Sequence, residues 1–120
     1  RAAALIVAAG RGERLGGDTP KQYKLLRGRP VLSWSVEALA AAGIGETVVT
    51  IAPEHAELCR SATKRGPPVR IVEGGDSRTG SVRAGLAAIA DADAILVHDA
   101  ARPGLSPSTV TALLTALTEA

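Results

Sequence analysis

The chain has 120 residues and a formal net charge of +2, enough for one compact core and short for an enzyme that must hold two substrates. No apolar run approaches the roughly 20 residues that span a bilayer. The start at Arg1 also lacks the regions of a signal peptide, so the expected location is the cytoplasm, with no membrane partner. A single cysteine, Cys59, excludes an internal disulfide. With only Trp34 and Tyr23 as aromatics, and no basic helix or known motif, no nucleic-acid partner is expected, and a small anionic ligand fits better.

In chain order, Ala3–Ala8 reads as a buried strand that empties into Ala9-Gly10-Arg11-Gly12-Glu13-Arg14-Leu15-Gly16-Gly17 and then Pro20-Lys21-Gln22-Tyr23. Glycines at 10, 12, 16 and 17 permit positive φ and remove Cβ atoms. Backbone N–H groups can then close on phosphate oxygens while Arg11, Arg14 and Lys21 offset their charge. The first thirty residues hold seven Lys or Arg against two acids, and the remaining ninety hold seven against ten. Positive charge therefore gathers around the glycine loop and points to a small anionic ligand, a nucleotide. A Gly-x-Gly-x-x-Gly fingerprint fails, because Leu15 stands where the third glycine belongs and the second strand ends in Ala52-Pro53 with no ribose-binding acid. A Walker A loop fails for want of Gly-Lys-Ser/Thr. What remains is a different phosphate loop, favoured over a plain turn with solvated arginines.

A helix is expected over Val31–Ala42, with Leu32, Val36 and Leu39 on one side and Gly43 as the stop, then a strand over Thr47–Ala52. Pro53 opens a helix over Glu54–Arg65, which carries Cys59 as a plain buried or half-buried thiol and sets His55, beside Glu54 and Glu57, on the surface. The strand Val69–Glu73 leads into Gly74-Gly75-Asp76-Ser77-Arg78-Thr79-Gly80-Ser81. Ser81 reads as N-cap of a helix over Ser81–Ala90, with Val82, Gly85, Leu86 and Ile89 as its inner stripe. The segment fits either a cap alone or a base pocket. In the second case the paired glycines bare the backbone to a flat base edge, and Asp76 and Ser81 add an acceptor and a hydroxyl. After the strand Ala94–His98, Asp99 is either a turn cap paired with Arg102 or the carboxylate that holds Mg²⁺ against a polyphosphate. His98 reads as a packed, hydrogen-bonded residue. Ser106 caps a last helix that starts at Pro107 and turns Val110, Leu113, Leu114 and Leu117 inward.

The alternation predicts an α/β fold, a Rossmann-like three-layer sandwich whose mainly parallel strands are all buried on both faces. Right-handed crossovers put every strand-to-helix loop at the C-terminal edge of such a sheet. The segments after the first, third and fourth strands therefore meet in one crevice.

Together these segments resemble the 2-C-methyl-D-erythritol 4-phosphate cytidylyltransferases of the non-mevalonate isoprenoid pathway, in the sugar-phosphate nucleotidyltransferase superfamily. The resemblance lies in Ala8-Ala9-Gly10-x-Gly12-x-Arg14-Leu15, Pro20-Lys21-Gln22-Tyr23, Gly74-Gly75-Asp76-x-Arg78-x-x-Ser81-Val82 and Val97-His98-Asp99-Ala100-Ala101-Arg102-Pro103. It implies transfer of a cytidylyl group from CTP to the polyol phosphate, with Mg²⁺ as cofactor and release of pyrophosphate. It further implies that Ala8, Ala9, Gly10, Arg11 and Gly12 line the nucleotide and that Gly75, Asp76 and Ser81 recognise cytosine. Arg14 and Lys21 then steady the α-phosphate, Asp99 lies by the metal and Arg102 lies near the acceptor. Alignment and neutralisation of charge suffice for such a transfer, which is consistent with the lack of a Ser-His-Asp or Cys-His set.

Val7 departs from the proline found in many relatives. The resemblance implies that residues 1–120 are the N-terminal, nucleotide-binding part of a single cytidylyltransferase domain, a truncated half of the nucleotidyltransferase fold. The family keeps a further lysine, most sugar-phosphate contacts and the arm that makes a homodimer in the full-length parent beyond that part. The alternatives are a ribitol 5-phosphate or related alditol-phosphate cytidylyltransferase and a non-catalytic CTP-binding fragment.

Overall fold

Seven consecutive small and aliphatic residues form β1 (Ala2–Ala8), and all of them after Ala2 are buried. A strand with no polar alternation must be covered on both faces, which puts it inside a sheet. The structure, a computed structural model, describes residues 2–9, 20–89, 91–100 and 106–119. A 3-10 turn at Lys21–Tyr23 leads to a small hairpin of β2 (Leu25–Leu26) and β3 (Arg29–Pro30), then to α1 (Val31–Ala41) and β4 (Glu46–Ile51). A second 3-10 turn, Pro53–His55, opens α2 (Ala56–Thr63). The chain continues through β5 (Arg70–Glu73), α3 (Arg78–Ala88), β6 (Ala94–Asp99) and α4 (Pro107–Glu119).

The four longer strands are parallel in the order β5-β4-β1-β6. Ala8 lies opposite Ile51, Ile51 opposite Glu73, and Val7 opposite Asp99, so the C-terminal ends of all four strands share one edge. The chain steps outward from β1 to β4 to β5 and then returns across the sheet to β6. The strand order reverses between β1 and β6, the place where open α/β sheets bind ligands.

Alternation along β1 divides the core. Ala4, Ile6 and Ala8 pack with Leu32, Val36 and Leu39 of α1, Cys59 of α2 and Val110 of α4. Ala3, Leu5 and Val7 pack with Val48 and Ile89, and Val82 of α3 joins them. Three layers result, as predicted. The expectation that all strands are buried on both faces holds for β1 and β4 only. β5 and β6 are the outer strands of this sheet, and Val97 is 45% exposed, because an outer strand lacks a neighbour on one side. Leu86 is also exposed and does not join the inner stripe of α3, whereas Gly85 lies against Leu5.

The start of α3 is a second correction. Ser77, not Ser81, is the cap: its Oγ accepts the backbone N–H of Gly80 at 3.0 Å, and the helix begins at Arg78. The cap expected for α4 is present, with Ser106 Oγ accepting from the Thr109 N–H at 3.2 Å. The 3-10 turn and the hairpin were not expected. Arg27 and Gly28 take positive φ at the hairpin tip, the geometry of a tight mirror-image turn. Trp34 holds the hairpin through Nε1–H to the Leu26 carbonyl at 2.8 Å.

Candidate functional site

The strand ends on the common edge are joined by close backbone contacts that need glycine. The Gly74 N–H donates to the Ile51 carbonyl at 2.7 Å, which ties the loop after β5 to the end of β4. A Cβ on Gly74 would lie 2.5 Å from the Ala9 Cβ and 2.7 Å from Ser81 Oγ, so only glycine lets these two loops touch. A Cβ on Gly75 would lie 2.9 Å from the Gly80 Cα. Ser81 is buried, and its hydroxyl bonds back to the Gly75 carbonyl at 3.3 Å, which shapes the loop from within. Gly75 and Asp76 are exposed. The structure thus brings Ala8, Ala9, Gly75 and Ser81 together at one rim, with Asp76 next in the loop.

Lys21 is exposed at the start of its 3-10 turn, beside the same rim. Gln22 reaches back from the turn, and its buried Nε2–H donates to the Ala8 carbonyl at 2.9 Å. The Tyr23 ring is buried and meets His55 edge-on, with centroids 5.6 Å apart and planes at 76°. The surface placement expected for His55 is therefore wrong: it is 3% exposed, because Tyr23 covers it. Cys59 is a fully buried thiol, as expected, and burial pushes it up to about 11 despite help from Tyr23 and Arg60. Burial, with Cys59 alongside, raises the Tyr23 phenol too.

Asp99 ends β6, and the next residue, Ala100, donates its N–H to the Val7 carbonyl at 3.0 Å. Arg78 donates to Asp99 Oδ1, a partner not expected from the sequence, and the Arg102 that the plainer reading pairs with Asp99 lies outside the described residues. His98 is packed and bonded, its Nε2 lying 3.1 Å from Ser35 Oγ. Gln22 and Arg78, which bond to the candidate site residues Ala8 and Asp99, are not among the site residues expected from the sequence. Arg78 carried a readable signal, since a cation in the first turn of a helix opposes the helix dipole and needs a partner elsewhere.

Among the described residues no three His, Cys, Asp or Glu side chains gather around a common point, so an all-protein metal cage is absent there. A single protein carboxylate still suits Mg²⁺, which takes most of its ligands from water and substrate phosphate. The Arg78 guanidinium beside Asp99 makes phosphate oxygens necessary as partners, because two cations alone repel. Gly10, Arg11, Gly12, Arg14 and Arg102 lie outside the described residues. A separate groove of 370 Å³ between the hairpin, α1 and α2 holds none of the predicted site residues, and its Arg29 is engaged by Glu37 and the Trp34 ring.

Comparison with known proteins fits this geometry. The family model for IspD, 2-C-methyl-D-erythritol 4-phosphate cytidylyltransferase, matches residues 2–120. A 2-C-methyl-D-erythritol 4-phosphate cytidylyltransferase of Cereibacter sphaeroides (strain KD131 / KCTC 12085) is 46% identical over 124 residues, covering 98% of this chain and 54% of that protein. The crystal structure of 4-diphosphocytidyl-2C-methyl-D-erythritol synthase from Anaerococcus prevotii is similar, with a TM-score of 0.80 at 25% identity over 98% of this chain and 51% of that one. So is Rv0371c from Mycobacterium tuberculosis in complex with manganese, with a TM-score of 0.72 at 25% identity over 95% of this chain and 58% of that one. The chain spans about half the length of the curated 2-C-methyl-D-erythritol 4-phosphate cytidylyltransferases it matches and 30–31% of the bifunctional IspD/IspF enzymes. With all of its described residues inside the match, the chain belongs to the IspD family of 2-C-methyl-D-erythritol 4-phosphate cytidylyltransferases.

Proposed function

We propose that residues 1–120 are the nucleotide-binding part of a single cytidylyltransferase domain, one that transfers a cytidylyl group from CTP to 2-C-methyl-D-erythritol 4-phosphate. The observation that carries this reading is the contact between Ala9 and Gly74, which joins a phosphate-type loop to a loop with bare backbone. In this reading Ala8, Ala9, Gly10, Arg11 and Gly12 line the nucleotide, and Gly75, Asp76 and Ser81 form the cytosine end.

An acceptor phosphate oxygen attacks the α-phosphorus of CTP. The new P–O bond forms as the bond to the bridging oxygen breaks, and pyrophosphate leaves with that electron pair. The acceptor is already anionic near neutral pH, so no protein base takes a proton from it. Arg14 and Lys21 draw the two anions together and stabilise charge on the α-phosphate in the transition state. Asp99 is the residue that would hold Mg²⁺ together with phosphate oxygens, and the ion would supply further neutralisation of charge. The structure of Rv0371c in complex with manganese supports the use of a divalent ion. Arg102 is assigned to the acceptor, and the homodimer is assigned to the protein at full length. No described helix is long and apolar enough to cross a membrane, and a cytoplasmic location is part of the proposal.

The test is pyrophosphate release from CTP and Mg²⁺ with a panel of acceptor phosphates, using the chain alone and the protein at full length. Release with methylerythritol phosphate and not with ribitol 5-phosphate is expected at full length. Binding of CTP with no release for any acceptor would sink the transfer reading.

A further inference from the structure

Three buried polar side chains at the rim, Gln22, Tyr23 and His55, have no part in the chemistry above. Desolvating an amide, a phenol and an imidazole costs free energy, and space alone would be filled better by aliphatic groups. Gln22 and Tyr23 directly follow Lys21 in the chain, and His55 packs on Tyr23.

Lys21 sits on a three-residue 3-10 turn, closed by Tyr23 N–H to the Pro20 carbonyl at 3.0 Å and Lys24 N–H to the Lys21 carbonyl at 3.1 Å. Such a turn has little stability of its own, so side-chain anchors decide where its first residue stands. One anchor is Gln22, bonded to the end of β1. The other is the Tyr23 ring, held edge-on by His55 with Cys59 beside it. His55 is in turn fixed to the end of β4, since its N–H donates to the Ala52 carbonyl at 2.8 Å and Ala52 directly follows that strand. Two adjacent central strands thus grip one short turn from two sides. The exposed Lys21 ammonium swings from that base.

We infer that His55 is a positioning residue: through Tyr23 it fixes the backbone of Lys21 against the nucleotide rim. This rests on the proposed role of Lys21 at the α-phosphate. Loosening the turn leaves the charge present and moves it, and an error near 1 Å in a positioning group costs as much as about 100-fold in rate.

The test compares His55→Ala with His55→Phe, which keeps an aromatic edge for Tyr23. In the full-length protein, His55→Ala should lower kcat by about 10- to 100-fold with KM for CTP within about two-fold. His55→Phe should recover most of that loss. Combining His55→Ala with Lys21→Ala should cost little beyond Lys21→Ala alone, since both act through one group. Amide hydrogen exchange on the 120-residue chain gives a readout that needs no turnover. There His55→Ala should speed exchange at Tyr23 and Lys24 by about 10-fold or more while Ile6 and Val49 in β1 and β4 stay protected. Unchanged exchange at Tyr23 and Lys24, or a Phe variant no better than Ala, overturns the inference. Absence of pyrophosphate release by the wild type overturns the proposed function instead and leaves the exchange result to decide. Should His55→Ala expose β1 and β4, His55→Leu fills the space without a ring edge and must show the same loss.

Discussion

Arg78, the first residue of α3, donates to the carboxylate of Asp99, the last residue of β6. The loop before Arg78 leaves β5, and β5 and β6 are the two outer strands of the sheet, so the pair reaches across the ends of β4 and β1. The side chains are 58% and 36% exposed, and such pairs contribute at most about 1 kcal/mol to stability. Arg78→Ala should therefore leave the urea unfolding free energy within about 1 kcal/mol of wild type. Asp99→Asn should be equally stable, yet it should raise the Mg²⁺ concentration for half-maximal turnover by about 10-fold, because a neutral amide is a weaker ligand for a hard cation. An unchanged Mg²⁺ requirement would remove Asp99 from the metal site.

Lys21 is exposed and makes no contribution to the core, so its loss should be felt in the chemistry. In the full-length protein, Lys21→Ala should reduce kcat by about 100- to 1000-fold, the scale for one preorganised charge donor, with a smaller change in CTP affinity. Thermal unfolding should be unaltered. Normal turnover in the variant would reject the assignment.

The four longer strands and the four helices are legible in the sequence because apolar residues recur at a strand or helix period and Gly, Pro or Ser stands at most of their ends, whereas the short hairpin carries no such pattern. What was not legible depended on contacts between distant residues. Glu54 and Glu57 make His55 look like a surface residue, and its burial comes from Tyr23, which arrives from the loop after β1. Ser77 and Ser81 are equally good caps in isolation. The first wins because its hydroxyl meets the Gly80 N–H, while Ser81 is drawn inside by the Gly75 carbonyl. The β6 sequence begins with the apolar run Ala94–Val97 and looks as buried as that of β4, and only the order of strands reveals that it lies outside, whereas Arg70 and Glu73 at the ends of β5 already signal exposure. In the sequence the glycine pair at 74 and 75 reads as bare backbone for a ligand, and the structure adds a steric need at each.

That steric need makes Gly74 a sensitive probe. Gly74→Ala would drive a methyl to 2.5 Å from the Ala9 Cβ, and neither backbone can yield cheaply, so the loops must part. Overpacking of this kind costs about 1–3 kcal/mol. CTP affinity measured by calorimetry should fall together with stability. Gly66→Ala, where a Cβ meets nothing within 4 Å, is the matched control and should leave both unchanged. A Gly74→Ala variant with wild-type affinity would show that the contact with Ala9 does not build the site.

Base choice is a separate consequence of the same loop. Its backbone is fixed by the Ser77 and Ser81 bonds, so its donors and acceptors cannot rearrange to suit a second base. Calorimetry should show GTP binding at least about 100-fold more weakly than CTP, the range expected when a rigid polar edge is left unpaired. Equal affinities would reduce Gly74–Ser81 to a helix cap.

The pH dependence of stability follows from the cluster behind Lys21. Burial pushes the Cys59 thiol from its usual 9.0 up to about 11, so the folded chain keeps a proton that the unfolded chain releases. Below pH 9 both states are protonated and the thiol has no effect on the balance. Between about pH 9 and 11 the unfolded state binds fewer protons, and stability must fall as pH rises. Tyr23 is shifted in the same direction from 10.0 and steepens the fall at the alkaline end. Urea midpoints should therefore be level up to about pH 8.5 and then decline, with a shallower decline in Cys59→Ala. Iodoacetamide should label Cys59 far more slowly in the folded chain than in urea, because alkylation needs a thiolate that burial suppresses. Equal labelling rates would mean that the Tyr23 and His55 rings do not seal this side of the core.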